Sequence, residues 1–199
     1  MNKNQIISAI ILFAVICLNL SIAADIKGHV DTDANKIKYK ANTVVYIDKA
    51  EGNFKVPMKN PEMNQTKLTF VPHVLPVLVG TTVNFLNNDD VLHNVFTPDA
   101  CAGKFNLGSW KKGEIRSHKY DKAGCNSVLL CNVHPEMEGY VVVLQNPYFA
   151  LTDKDGNFVI KNVPAGKYTI KVWNEKLKAA DQQITVGTGK NEVVFKIAK

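Results

Sequence analysis

The chain has 199 residues and a formal net charge of +6, from 24 basic and 18 acidic side chains, enough length for one or two small domains with buried cores. Arg116 is the only arginine and the lysines are spread along the chain, so the clustered arginine and aromatic pattern of a nucleic-acid binder is absent. A mildly cationic, solvated surface remains, suited to attracting an acidic protein partner.

The first residues, 1–24, read as a signal peptide. Lys3 precedes an apolar run from Ile6 to Leu20, and Ser21, Ala23 and Ala24 place cleavage after Ala23 or Ala24. A membrane anchor competes with this reading, but the run is short for a span and ends in a cleavage-like site. Ile16 before Cys17 argues against a lipoprotein. No other stretch is apolar enough to cross a bilayer, so no membrane span is expected after signal removal. Losing Lys3 lowers the charge from +6 to +5. The expected location is periplasmic or secreted.

Beyond residue 25 helical signals are scarce, while alternating and β-branched runs recur. Strands are expected at TVVYID (43–48), TKLTFV (66–71), TTVNFL (81–86), SVLLCNV (127–133) and YVVVL (140–144). Further ones follow at NFVIKNV (157–163), KYTIKVW (167–173), QQITV (182–186) and EVVFKIA (192–198). The spacing of turn residues between them is that of β-sandwiches, so the fold class is all-β. From Gln65 to Gln145 the chain holds the Cys, His and Met residues of interest, whereas none of these types occurs from Asn146 onward.

The loop LLCNVHPEMEGYVVV (129–143) places Cys131, His134 and Met137 at three-residue steps. Pro135 and the β-branched right flank favour strand–loop–strand over helix, so thiolate, imidazole and thioether converge from one tight loop. That is a ligand set for a soft, polarisable metal, with copper the leading candidate. A trigonal copper site with a weak axial thioether needs a second imidazole, and His93 in NNDDVLHNVF supplies it. Taken singly, Cys131 reads as a small buried hydrophobe, His93 as a turn residue and Met137 as core. Their joint spacing in an exported chain carries the copper reading. Covalent haem would need Cys-x-x-Cys-His, and a binuclear copper centre a second cysteine in the loop; neither is present.

HNVF and CNVHPEM resemble the cupredoxins, the plastocyanin-like and amicyanin-like blue copper proteins, and GTTVNFLNNDDVLHNV is similar to that family's strand and turn before the first histidine. The resemblance covers Gln65 to Gln145 and implies a Greek-key β-sandwich. It implies one copper ion, cycling between Cu+ and Cu2+, held by His93, Cys131, His134 and Met137, with Asn94 tying the two ligand loops together and supporting the thiolate. It also implies a non-enzymatic electron carrier whose redox partners are a donor dehydrogenase or a cytochrome acceptor. Glu136 stands where the amicyanin-like loop has an aromatic residue, a departure in the surface around the exposed histidine edge. The alternative is a copper chaperone or storage protein without redox turnover. His73 reads as a structural histidine, and Met58 and Met63 as loop hydrophobes.

Cys101 and Cys125 lie on stretches leading away from and towards the ligands. If both run extended they meet at the far end of the sandwich, where an exported chain would pair them as a disulfide. The tail, with TDKDGNF and VPAGKY, resembles the carboxypeptidase regulatory-like sandwich, but residues 147–199 offer five strands where that family uses about seven. IKGHVDTDANKIKYKANTVVYID (26–48) looks like the two opening strands of the same sandwich. The expectation is therefore a discontinuous domain, 25–57 with 147–199, into which a cupredoxin domain, 58–146, is inserted. The competing arrangement makes 25–57 an extra hairpin on the cupredoxin.

Overall fold

The computed structural model describes residues 23–199. The predicted leader lies outside them except for Ala23 and Ala24, which open the first strand. In chain order, β1 (Ala23–Thr32) and β2 (Val44–Ile47) are separated by a 3-10 helix over Ala34–Tyr39. Then come β3 (Glu62–Thr66), β4 (Thr69–Val71), β5 (Val74–Leu78), β6 (Thr81–Asn87) and β7 (His93–Phe96). These are followed by β8 (Asn106–Trp110), β9 (Ile115–Tyr120), β10 (Asn126–Leu130) and β11 (Glu138–Leu144). The chain closes with β12 (Phe149–Leu151), β13 (Asn157–Pro164), β14 (Gly166–Trp173), β15 (Gln182–Val186) and β16 (Glu192–Ile197).

Four sheets form two sandwiches. One pairs the sheet β5-β11-β10-β7-β8 with β4-β3-β6-β9; the other pairs β13-β1-β16 with β12-β2-β14-β15. In the first, Met63, Phe70, Val83, Phe85 and Tyr120 from one sheet meet Val95, Trp110, Leu129, Val141 and Val143 from the other in one buried core. Alternation along β6, TTVNFLN, with Thr81, Val83, Phe85 and Asn87 buried, is the period of a strand with one face in that core. The second, flanking sandwich buries Ile26, Val30, Val45, Ile47, Phe158, Ile160, Ile170, Phe195 and Ile197.

β2 pairs with β12 and β14, and β1 pairs antiparallel with β13 and parallel with β16. Residues 23–47 thus belong to the same sheets as residues 149–197. The two ends of the intervening segment meet. Tyr148 C=O accepts from Ile47 N–H at 3.0 Å, and the Asn146 side chain donates to Ile47 C=O at 2.9 Å. Gly28 is required here, since a Cβ would strike Val193 C=O and the Phe158 ring where β1 lies against its neighbours.

The expected single strand at 66–71 is a hairpin instead. Lys67 and Leu68 both take positive φ, 53° and 55°, between β3 and β4, and the Asp89 carboxylate accepts from both of their N–H groups. The stretch at 72–78 adds β5, an edge strand beside β11, where Pro76 is tolerated. Met63 is a fully buried strand residue of the core, while Met58 is fully exposed.

Candidate metal centre

Two turns bring the donors together at one end of the first sandwich. The first spans residues 88–92, between β6 and β7, and is organised by buried Asn87. Its side-chain amide donates to Val91 C=O at 2.8 Å and Trp110 C=O at 3.0 Å, and its oxygen accepts from Asp89 N–H at 2.9 Å. His93, fully buried, is the first residue of β7. Its Nε2 is held by Asp89 Oδ2 at 2.9 Å. With Nε2–H donating to the carboxylate, Nδ1 is left with a free lone pair facing the interior. Partial burial opposes ionisation of Asp89, but hydrogen bonds from Leu68, His93 and Lys67 outweigh it and hold the carboxyl below its usual range.

The second turn is 131–137. β10 ends at Leu130, Pro135 interrupts any continuation, and Met137 N–H donates to His134 C=O at 3.0 Å. Cys131 Sγ lies 3.9 Å from His93 Nδ1 and 3.9 Å from His134 Nδ1, and the two Nδ1 atoms are 3.2 Å apart. The point equidistant from all three is about 2.1 Å from each, which matches a metal bound by imidazole nitrogens at about 2.0–2.1 Å and a thiolate at about 2.3 Å. His93, Cys131 and His134 form the metal-competent cluster of His, Cys, Asp and Glu among the described residues. Met137 is buried in the core that contains Cys131. Cys131 is the free thiol of the described residues.

Asn94 joins the two turns. Its N–H points at Cys131 Sγ at 3.4 Å and its side-chain oxygen accepts from Asn132 N–H at 3.2 Å. Its amide donates to Asn106 Oδ1 and Gly108 C=O, both at 2.8 Å. Sequence reasoning missed Asp89 and Asn87. The visible signal was an Asn-Asn-Asp-Asp turn with a carboxylate four residues before a histidine, a pattern that favours side-chain to backbone bonding.

The remaining cysteines and histidines of the described residues lie elsewhere. Cys101 and Cys125 form a disulfide with an S–S distance of 2.03 Å. His29 bonds Asn157 in the flanking sandwich, His118 stacks on Phe105, and His73 pairs with Glu175.

A family model described as polysaccharide lyase family 4, domain II, matches residues 132–194. The match begins within the ligand loop and takes in most of the tail; it does not show the expected resemblance to the carboxypeptidase regulatory-like sandwich. No curated protein matches the chain. Among solved structures, it is similar to a reduced amicyanin point mutant at 28% identity, over 45% of this chain and 86% of that one, with a TM-score of 0.41. A purple cupredoxin from Nitrosopumilus maritimus is similar at 25% identity, over 42% of this chain and 99% of that one, with a TM-score of 0.38. The copper-containing nitrite reductase of Thermus scotoductus shares 27% identity over 49% of this chain but only 25% of its own length, with a TM-score of 0.42.

Proposed function

We propose that the chain is an exported copper protein of cupredoxin type that carries single electrons between redox proteins. One observation carries this reading: two imidazole nitrogens and one thiolate form a nearly regular triangle sized for a single ion, with N···S of 3.9 Å twice and N···N of 3.2 Å. His93, Cys131 and His134 would hold copper in that plane, with Met137 as the weak axial donor. Copper supplies a one-electron couple when bound. The protein's part is to fix the donors: Asp89 sets the His93 tautomer, Asn94 supports the thiolate, and burial of Cys131 and Met137 keeps water from the sulfur side.

The partly exposed His134 edge is the electron port, and exposed Val91, Leu92 and Val133 adjoin the ligands in sequence. A dehydrogenase donor or a cytochrome acceptor would meet this face. The chain is not an enzyme in this reading. We also read residues 25–57 with 147–199 as one discontinuous sandwich hosting an inserted copper domain, 58–146. Support comes from the pairing of β1 and β2 with β12, β13, β14 and β16.

Absorption spectroscopy tests the function. The copper(II) form should show an intense visible thiolate-to-copper band that bleaches and returns reversibly on reduction and reoxidation. Cys131→Ser should abolish it, whereas Met137→Leu should retain copper and shift the reduction potential. A wild-type protein that binds copper(II) without that band, or binds only copper(I) with no reversible couple, sinks the carrier and favours storage.

A further inference from the structure

We propose that the flanking sandwich is a working part of the metal centre, through a clamp formed by Trp173, Glu175 and Lys176 on the strand leaving the ligand loop. This rests on the copper reading above. The strand is β11, whose first residue, Glu138, follows Met137 directly. Its inward residues Val141 and Val143 belong to the core of the first sandwich. Gly139 fits beneath Phe70, where a Cβ would come within 2.8 Å of that side chain. The outward face is covered as well. Val142 and Leu144 pack with Val44 and Val74 in a third buried cluster, flanked by Tyr140, Phe149, Leu151 and Trp173. A strand with one free face can shift by bending towards solvent; one covered on both faces cannot.

Contacts from the flanking sandwich also reach the ligand end of β11. The Tyr140 ring lies 5.2 Å from that of Trp173 and 5.6 Å from that of His73. His73 Nε2 is 3.2 Å from Glu175 Oε2, and Lys176 Nζ is 3.6 Å from Glu138 Oε1. The Tyr140 hydroxyl donates to Glu138. The clamp is itself rigid, since Asn174 Oδ1 accepts from Lys176 N–H at 3.1 Å and Leu177 N–H at 3.0 Å. Leu177 is buried in the flanking core, and the Asn174 amide bonds Tyr39 C=O and Thr43 Oγ1. Trp173 at the end of β14, with Glu175 and Lys176 in the braced turn after it, thus contacts the outward-facing residues nearest the ligand loop, Glu138 and Tyr140, together with His73 beside them. Trp173, Glu175 and Lys176 act as positioning residues for Met137 and the loop that ends there.

The test compares the full chain with Trp173→Ala and with the double variant Glu175→Gln/Lys176→Ala. In metal-free protein, alkylation of Cys131 is followed by peptide mass spectrometry, and amide hydrogen exchange is measured over 132–138 and over β6. The clamp predicts about tenfold faster Cys131 alkylation and faster loop exchange in Trp173→Ala, with β6 unchanged. In the copper form it predicts a shifted reduction potential and faster loss of copper to a chelator. Wild-type alkylation rate and potential in Trp173→Ala overturn the proposal, and so does acceleration shared equally by β6. Should Trp173→Ala fail to fold, the double variant decides, and a Cys131 rate within about twofold of wild type overturns the clamp. The metal-free arm stays informative if no thiolate-to-copper band exists, so failure of the copper reading and failure of the clamp are separate results.

Discussion

Asn94 makes more connections at the candidate metal centre than any of the three clustered residues His93, Cys131 and His134 does. It bonds Cys131 Sγ, Asn132 N–H, Asn106 Oδ1 and Gly108 C=O from one buried position. Asn94→Ala removes the side-chain bonds to Asn132 N–H, Asn106 Oδ1 and Gly108 C=O, at about 0.5–1.5 kcal/mol net for each. Urea unfolding of the metal-free protein should register a loss of about 2 kcal/mol or more, and a midpoint unchanged from wild type would contradict the bridge. His118 gives a pH prediction. Burial lowers its pKa from the ordinary 6.5, against the opposing pull of the Ala102 backbone and Asp121. The folded chain then binds this proton less well than the unfolded one, so stability falls as pH drops below about 6.5 and levels off below the folded pKa. His118→Phe keeps the stack on Phe105 and should flatten thermal stability between about pH 7 and 5. An equally steep profile in the variant would assign the loss elsewhere. The cluster of His93, Cys131 and His134 was legible because Cys131 and His134 lie three residues apart in a loop that needs only a turn to bring them together. Asp89 was not, because two of its three partners, Lys67 and Leu68, belong to a turn that becomes its neighbour only after folding.

At the scale of elements, the strands easiest to read were those with a clean period of two, such as β6 and β16. β8 and β9, NLGSW and IRSHKY, have mostly polar, exposed residues and reach the core through Trp110 and Tyr120, so neither has an apolar pattern to find. β11 carried a signal of another kind: YVVVL is apolar at successive positions, as a strand buried on both faces must be. Here the second face is the flanking sandwich, as the cluster around Val142 and Leu144 shows. The disulfide joins the segment after β7 to the start of β10 across a separation of 24 residues. Closing a loop of that size constrains the unfolded chain by about 3.5 kcal/mol in the loop-entropy picture. Cys101→Ser/Cys125→Ser should therefore lower stability by up to about that amount while leaving Cys131 as the copper thiolate. Denaturant unfolding together with the copper spectrum checks both halves; loss of the band in the double variant would show that the disulfide and the metal end are not independent.

For the molecule as a whole, the arrangement of strands sets an order of folding. The flanking sandwich closes through contacts such as Thr32 Oγ1 to Ile197 C=O, 165 residues apart, and β1 pairs with β13 and β16 from the far end of the chain. The first sandwich closes over shorter spans, with β6 against β9 and β10 against β11. Contacts of long separation bear their loop-closure entropy before they are rewarded, so the first sandwich should form earlier. Once formed, it brings Ile47 and Ala50 to Gln145, Asn146 and Tyr148, where they are hydrogen-bonded in the native chain. The folded segment then acts as a short bridge instead of a long flexible loop. That lowers the closure cost of the β1–β16 pair by a little under 1 kcal/mol, roughly fourfold in rate. Pulse-labelled hydrogen exchange during refolding should therefore protect amides of β6, β9, β10 and β11 before those of β1 and β16. The Gly139→Val variant, which crowds Phe70 in the first core, should delay both groups, because the second sandwich waits for the first. A variant crowded only in the flanking core, Gly28→Val, should slow β1 and β16 and leave β6 and β9 at the wild-type rate. Simultaneous protection of both groups in the wild type, or delay of β6 and β9 by Gly28→Val, would show that the two sandwiches fold as one unit.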